Sequence, residues 1–574
     1  MPMTRSRTRG SVPAAVVVLA AYFGIAYHTT ISLPLLNDDY VFLDKVRQSS
    51  FADLWKPERL AFNWYRPFSR EVHYWVLDRL VGANEATFHS VNAALWLFVM
   101  VLYFVLVRRM AGNGPAVAAT AGLAALTLWG APLSWVAGAQ ELWMLLFSLL
   151  FLHAIVSSRV ALSVVPMVLA LLSKETAAIL PVLAAAYFWI VRGDPPTKVL
   201  RRTSILWIGM IVWLLAHPTL GARMFGPLRH SVESDTRSSP GSIALKTLLA
   251  QMNFNGPLAP ETGWAALLIP ATLGAALLGT WVFLGVPAPS DPDTRRGAER
   301  GVVMFGGAWA LLGWSILWLP SIGWHSYYGV LGSLGCWMAV GTLLSRQRRV
   351  AAAAVMILAF TREVQAATPS WDWSSPWYQT RAGAILGSIR ERLFQFHPVL
   401  PPSSRLFFAR IPNNIGLLAG DGPAIRIWYN DPSLEARYYS DYAPRGLEEA
   451  EGRDYFFRFD TATVLVEVLT DEESVPEAIH SNPAWQRDHE NLAALFIQKG
   501  NVPGAAAEYA RLAVAFPERA DYSLYAGAAH EALGAKSKAE EFYAAASRVY
   551  GRTVVRDRAA ELVRAVPRSG LEGR

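Results

Sequence analysis

A chain of 574 residues in which 53% are hydrophobic and only 17% charged is too apolar for a typical soluble protein, where about 25% of residues carry charge. Its 22 Trp and 20 Tyr fit a bilayer as solvent, because amphipathic rings favour the two membrane interfaces. The net charge of +7 is dispersed in short basic clusters between apolar runs, which argues for membrane topology and against nucleic-acid binding.

The predicted elements begin with an apolar run over 12–36, followed by runs over 91–107, 115–131, 142–156, 160–172, 177–191, 204–218, 264–286, 302–319, 327–344 and 350–360. About eleven transmembrane helices are expected, although several runs fall short of the ~20 residues of a straight crossing and must borrow from their flanks. No small-residue cleavage site follows the first run, which reads as a permanent helix and not as a signal peptide. Cys336, the single cysteine, lies in the tenth run; it excludes an intramolecular disulfide framework and reads as a buried, inert thiol. Arg5, Arg7 and Arg9 precede the first span, Arg108 and Arg109 follow the second, and Arg159 follows the fourth. Arg192, Lys198, Arg201 and Arg202 follow the sixth, Arg295, Arg296 and Arg300 the eighth, and Arg346, Arg348 and Arg349 the tenth. Every second connection is therefore expected on the cytoplasmic side, with the C-terminus outside.

Three non-cytoplasmic regions then remain, 37–90, 219–263 and everything after about 361. In the first, Phe68, Val72, Trp75, Val76 and Leu80 share a helical face opposite Glu71 and Asp78, which predicts an interfacial helix. The chain divides into a membrane domain over 1–360, a small mixed α/β domain over 361–484 and a helical repeat domain over 485–574. Within the middle domain, strands are expected over 405–411, 425–429 and 463–468, between Asn, Gly, Pro and Asp turn signals. In the tail, Gly500, Ala505 and Tyr509 recur as Gly534, Ala539 and Tyr543. This 34-residue period is that of tetratricopeptide repeats, whose paired helices offer concave surfaces for a protein partner.

Asn37-Asp38-Asp39-Tyr40, directly after the first span, sets two carboxylates side by side at a membrane surface, where something cationic or protonated must meet them. Tyr65-Arg66-Pro67-Phe68 follows, then Phe88-His89-Ser90-Val91-Asn92, and later Leu172-Ser173-Lys174-Glu175-Thr176 with Pro181. The order of these motifs resembles the C-type (GT-C) membrane glycosyltransferases that carry tetratricopeptide repeats, relatives of the protein O-mannosyltransferases, over roughly 12–349 plus the repeats. The resemblance implies a polyprenyl-phosphate sugar as donor, a protein or glycan acceptor outside the cytoplasm, and a catalytic base on an acidic residue of the first outer loop, here Asp38 or Asp39.

The chemistry agrees, since transfer from a glycosyl phosphate needs a carboxylate for the acceptor hydroxyl and cations for the departing phosphate. Lys174 and Arg66 are the candidate phosphate ligands, with Glu175 beside them; the bland alternatives are an ion pair at a hairpin tip and a snorkelling arginine. His89 can touch the substrate or merely pack a helix, and Glu141 can add a second carboxylate or merely solvate a helix end. His325 and Tyr327 mark another junction able to hold phosphate or sugar, which an aromatic belt explains equally well. A divalent Mg or Mn ion on Asp38 and Asp39 stays open; no ligand-spaced His or Cys pair suggests zinc. A lipid-linked glycan transporter and a non-catalytic scaffold acting through its repeats are the competing readings. Residue usage favours a bacterial inner membrane.

Overall fold

The computed structural model describes residues 11–57, 64–218, 239–254, 256, 258–287, 296–318, 324–370, 372–373, 375–409, 422–439, 452–460, 464–468, 483–498 and 500–565. Arg5, Arg7, Arg9, Arg295 and most of the expected second outer loop lie outside them. The chain forms two compact units, Met1–Ser388 and Ile389–Arg574.

In the first unit every described apolar run contains helix. Six segments are long and apolar enough to cross a membrane: Glu85–Ala111, Val136–Val156, Pro196–Ala216, Trp264–Gly285, Glu299–Trp318 and Ser326–Leu344. Three shorter apolar helices, Ser11–Ala26, Val160–Leu171 and Glu175–Val191, pack among them. Eleven crossings would require these three, the bent pair described next and the more polar helix Arg348–Ala366 to span as well.

The first helix stops at Ala26, ten residues before the end of its apolar run. The Thr30 hydroxyl donates to the Tyr27 carbonyl (2.7 Å) and Ser32 to Thr29 (3.0 Å), so side chains compete with the helical ladder, and Pro34 then disfavours helical geometry at Leu33. The run over 115–131 also breaks, into Asn113–Ala124 and Thr127–Ser134, bent by 58°. Non-helical backbone inside a membrane needs protein partners for its polar groups. Asn253 supplies them: its Oδ1 accepts from the Thr127 amide (2.8 Å) and hydroxyl (3.2 Å), and its Nδ2 donates to Ala125 (2.8 Å) and Leu358 (2.9 Å) carbonyls. The Tyr27 hydroxyl donates to Leu126 O (3.2 Å). Asn253 itself has φ +61°. Asn253→Gly keeps that backbone accessible and removes only the latch, and is expected to destabilise the unit by at least about 2 kcal/mol. An apparent unfolding midpoint in detergent unchanged from wild type would refute the assignment.

The second unit contains a four-stranded sheet in the order β2-β1-β3-β4. The central β1 (Arg405–Ala409) runs parallel to β2 (Glu435–Tyr438) and to β3 (Asp454–Asp460), and β3 runs antiparallel to β4 (Val464–Val468). Phe407 stacks on Phe456 and Phe408 on Phe457, while Arg405 pairs with Asp454 across the ladder (2.7 Å). Residues 425–429, expected as a strand, belong instead to the helix Pro423–Tyr429. Proline at its first position after Gly422 and a left-handed Asn430 at its end are helix start and stop signals. Strands β2 and β3 were not foreseen, being short and interrupted by Glu, Arg and Asp. The expected strands over 405–411 and 463–468 extend into residues outside those described.

Five helices follow, Pro483–Gln498, Val502–Ala515, Ala520–Ala532, Lys536–Tyr550 and Arg552–Ala565. The 34-residue period is present in the backbone. Gly500 N–H donates to Ile497 O, Asn501 N–H to Phe496 O and Ala505 N–H to Asn501 O; Gly534, Ala535 and Ala539 repeat this with Glu531, His530 and Ala535. Gly500 and Gly534 both adopt positive φ, +70° and +76°, the left-handed turn that lets the second helix of each pair fold back.

Candidate functional site

The site begins where the first helix has ended. Leu36 and Asn37 lead into the helix Asp38–Arg47, and Asn37 is held at φ +47°, ψ −111°, an uncommon conformation for a side-chain-bearing residue. Its side chain is hydrogen-bonded to the Tyr378 hydroxyl. The two adjacent carboxylates that follow meet different surroundings.

Asp39 is fully enclosed, at 0% exposure. Its Oδ1 accepts from the Tyr74 hydroxyl (2.6 Å) and the Ala137 amide (2.8 Å), and its Oδ2 accepts from the Leu36 amide (2.8 Å). It thus ties the start of its own helix to the helix His73–Val81 and to the turn Val136–Gly138. Burial pushes its carboxyl up to about 7, against the pull of these donors. Asp38 has no hydrogen-bond partner among the described residues. It lies within electrostatic reach of Arg70 and Arg66, and burial pushes its carboxyl up to about 6 while both guanidiniums oppose the shift.

The segment Pro67–Val72 makes a π-helical turn. It docks on the end of the helix Val160–Leu171: Phe68 N–H donates to Leu172 O (3.2 Å) and the Ser69 hydroxyl to Ser173 O (2.7 Å). That docking sets Arg66 beside the Lys174-Glu175 motif. Arg66 reaches Glu175 through Nε (2.9 Å) and a terminal nitrogen (2.8 Å), and Gln140 Oε1 through the other (2.9 Å). Lys174 pairs with Glu141 and stands over the rings of Tyr327 and Tyr328, 5.2 and 4.7 Å from their centroids. Burial lowers the Lys174 ammonium from its usual range, opposed by Glu141. Arg70 is buried, bonded to Glu71 (2.6 Å) and to Trp64 O (2.6 Å), and Glu71 also takes Lys45 (2.8 Å).

The fold therefore brings Asp38, Arg66, Glu141, Lys174, Glu175 and Tyr327 into one charged layer. His89 does not join them; its Nδ1 lies 3.3 Å from Leu133 O, and it packs between that carbonyl and the Leu33–Pro34 backbone. Its neighbour Asn92 donates to Pro132, Trp135 and Val136 carbonyls (3.2, 3.3 and 3.1 Å), holding the turn whose Ala137 amide anchors Asp39. His325 stands at the margin, its Nδ1 3.0 Å from Asp372 Oδ1. Arg70 and Asp372 were not foreseen. Arg70 sits four residues after Arg66, a helical spacing readable in the sequence, whereas Asp372 is 47 residues from its partner.

The interfacial face expected over 68–80 divides. Phe68 packs inward against Trp143 and Phe147, while Val76 and Leu80 are exposed. Glu71 is buried with Lys45 and Arg70, and Asp78 pairs with Arg47 (3.0 Å).

The Asp38–Asp39 pair does not fit a divalent cation. The two Asp39 oxygens already accept three hydrogen bonds between them, and two guanidiniums occupy the electrostatic neighbourhood of Asp38, which suits an anion better than Mg or Mn. Among the described residues no group of three or more His, Cys, Asp or Glu is placed to hold a metal.

No protein-family model matches the chain, and no curated protein does. Two solved structures resemble it. The crystal structure of ArnT from Cupriavidus metallidurans bound to undecaprenyl phosphate shares 14% identity, covering 74% of this chain and 85% of that one, with a TM-score of 0.39. The apo form of the same protein shares 16% identity over 74% and 86%, with a TM-score of 0.38.

Proposed function

We propose that this chain is a membrane glycosyltransferase of the C-type superfamily, moving a sugar from a polyprenyl-phosphate donor to a protein or glycan acceptor on the non-cytoplasmic face. The observation that carries the reading is a carboxylate without a hydrogen-bond partner among the described residues, Asp38, beside Arg66 and within one layer of the buried Lys174. In the transfer, the acceptor oxygen bonds to the anomeric carbon, the bond from that carbon to the phosphate oxygen breaks, and polyprenyl phosphate leaves with the electron pair. Asp38 takes the acceptor's proton. Lys174 and Arg66 meet the added phosphate charge with ammonium and guanidinium N–H donors held rigid by Glu141 and Glu175, so little reorganisation is needed. Asp39 fixes the loop that presents Asp38.

The apolar helices support an integral membrane protein; the alternating basic clusters support an N-terminus inside and repeats outside, and residue usage a bacterial inner membrane. The repeats, read as tetratricopeptide pairs, then recruit an acceptor or an envelope partner. The bent helix over 113–134 favours the transporter reading instead, because broken helices line many translocation paths. One assay decides between them: the purified chain, given a panel of lipid-linked sugars and envelope extract, is expected to release polyprenyl phosphate. Donor that crosses a vesicle membrane intact, with no phosphate released by any member of the panel, would replace transfer by transport.

A further inference from the structure

Trp135 lies in extended backbone (φ −118°, ψ 123°) two residues before the Ala137 amide that anchors Asp39. Its ring meets Trp373 edge-on, centroids 5.2 Å apart. Trp373 in turn contacts His325 (4.4 Å) and Tyr327 (5.4 Å), and His325 contacts Tyr328 (5.6 Å). Tyr327 and Tyr328 lie 4.3 Å apart over the Lys174 ammonium. One aromatic row thus runs from the lysine that would hold a phosphate to the turn that supports the two aspartates. Trp135, Trp373, His325 and Tyr328 are only partly buried, whereas Tyr327 is buried beneath them.

We infer that this row is the subsite for the donor's sugar ring, with Trp373 and Trp135 as its platform and the His325–Asp372 pair reading the sugar's polar rim. The inference rests on the glycosyl-transfer reading above. A pyranose presents an apolar C–H face bordered by hydroxyls, and the electron-rich face of an aromatic ring suits the first. The hydroxyls need donors and acceptors within reach. The Trp135 indole N–H is enclosed with no acceptor among the described residues, a cost of about 1–3 kcal/mol that a ligand oxygen would remove. The Asp372 carboxylate, 30% exposed and held by His325, accepts from hydroxyl or ammonium substituents and repels a carboxylate. The sugar class is therefore neutral or amino-bearing and not a uronic acid. An ordinary membrane aromatic belt would leave its indole N–H groups at the wet interface, unlike the enclosed N–H of Trp135.

The test is binding of two radiolabelled lipids, bare polyprenyl phosphate and its hexosyl derivative, to the full-length protein in nanodiscs. Wild type is expected to bind both. Trp373→Ala should weaken the hexosyl lipid about tenfold or more, the scale of one lost ring contact, and leave bare phosphate within about twofold; Trp373→Phe should restore most of the loss. With a uronosyl derivative added as a third labelled lipid, Asp372→Asn should narrow the preference for the hexosyl over the uronosyl donor. If Trp373→Ala weakens both lipids alike, or neither, while wild type binds both, the sugar subsite is overturned and the transfer reading stands. If wild type binds neither lipid, the transfer reading falls and takes the sugar subsite with it.

Discussion

Asp38→Asn is expected to lower sugar transfer by about 100-fold or more, the usual contribution of a positioned general base, while the protein unfolds within a couple of degrees of wild type. Asp39→Asn should do the opposite first: it places an amide N–H₂ against at least one of three donors, the Tyr74 hydroxyl or the Leu36 or Ala137 amides. That clash leaves a buried donor facing another donor and should cost about 1–3 kcal/mol. Any fall in turnover should then track the loss of folded protein. The pH profile gives a second readout. A base works only when ionised, and the Asp38 carboxyl is pushed up to about 6, so turnover should rise through about pH 6 and level off above. Arg66→Gln removes a positive charge that favours the carboxylate, so the rising limb should move to higher pH. Undiminished turnover in Asp38→Asn would end its assignment as base, and a flat profile from pH 5 to 8 would count against it.

The pair also shows where sequence stops being informative. The Asn-Asp-Asp-Tyr, Tyr-Arg-Pro-Phe and Ser-Lys-Glu-Thr motifs are legible by their order and spacing along the chain, and the fold gathers residues of all three in one layer. Which aspartate is structural is decided by Tyr74 and Ala137, 35 and 98 residues away in the chain, and no local pattern carries that. The same holds for the fold. Apolar runs located the helices, but the break at Ala125–Leu126 depends on Asn253, 128 residues from Ala125. The segment 425–429 reads as a strand by composition and folds as a helix because Pro423 and Asn430 set its ends. His89 was a reasonable candidate by position, yet its backbone partners come from the segments around Pro34 and Leu133, and its face of the helix turns to packing.

The Lys174–Glu141 pair separates stability from function most cleanly. Its side chains are 5% and 2% exposed, so Glu141→Gln leaves a buried ammonium without its partner, and Arg66 close by adds repulsion. Breaking such a pair from one side typically costs about 3–5 kcal/mol, enough to lower the unfolding midpoint markedly. Replacing both members, Lys174→Met with Glu141→Leu, removes the uncompensated charge and fills the space, which is often neutral or stabilising. The double variant is therefore expected to recover most of the stability lost in Glu141→Gln. It should not recover polyprenyl-phosphate binding, because the ammonium under Tyr327 and Tyr328 is gone. A structural pair would give back stability and binding together, and a double variant that binds the lipid phosphate as wild type does would remove Lys174 from the site. Retained stability with lost binding is the outcome that a charged layer built for an anion requires.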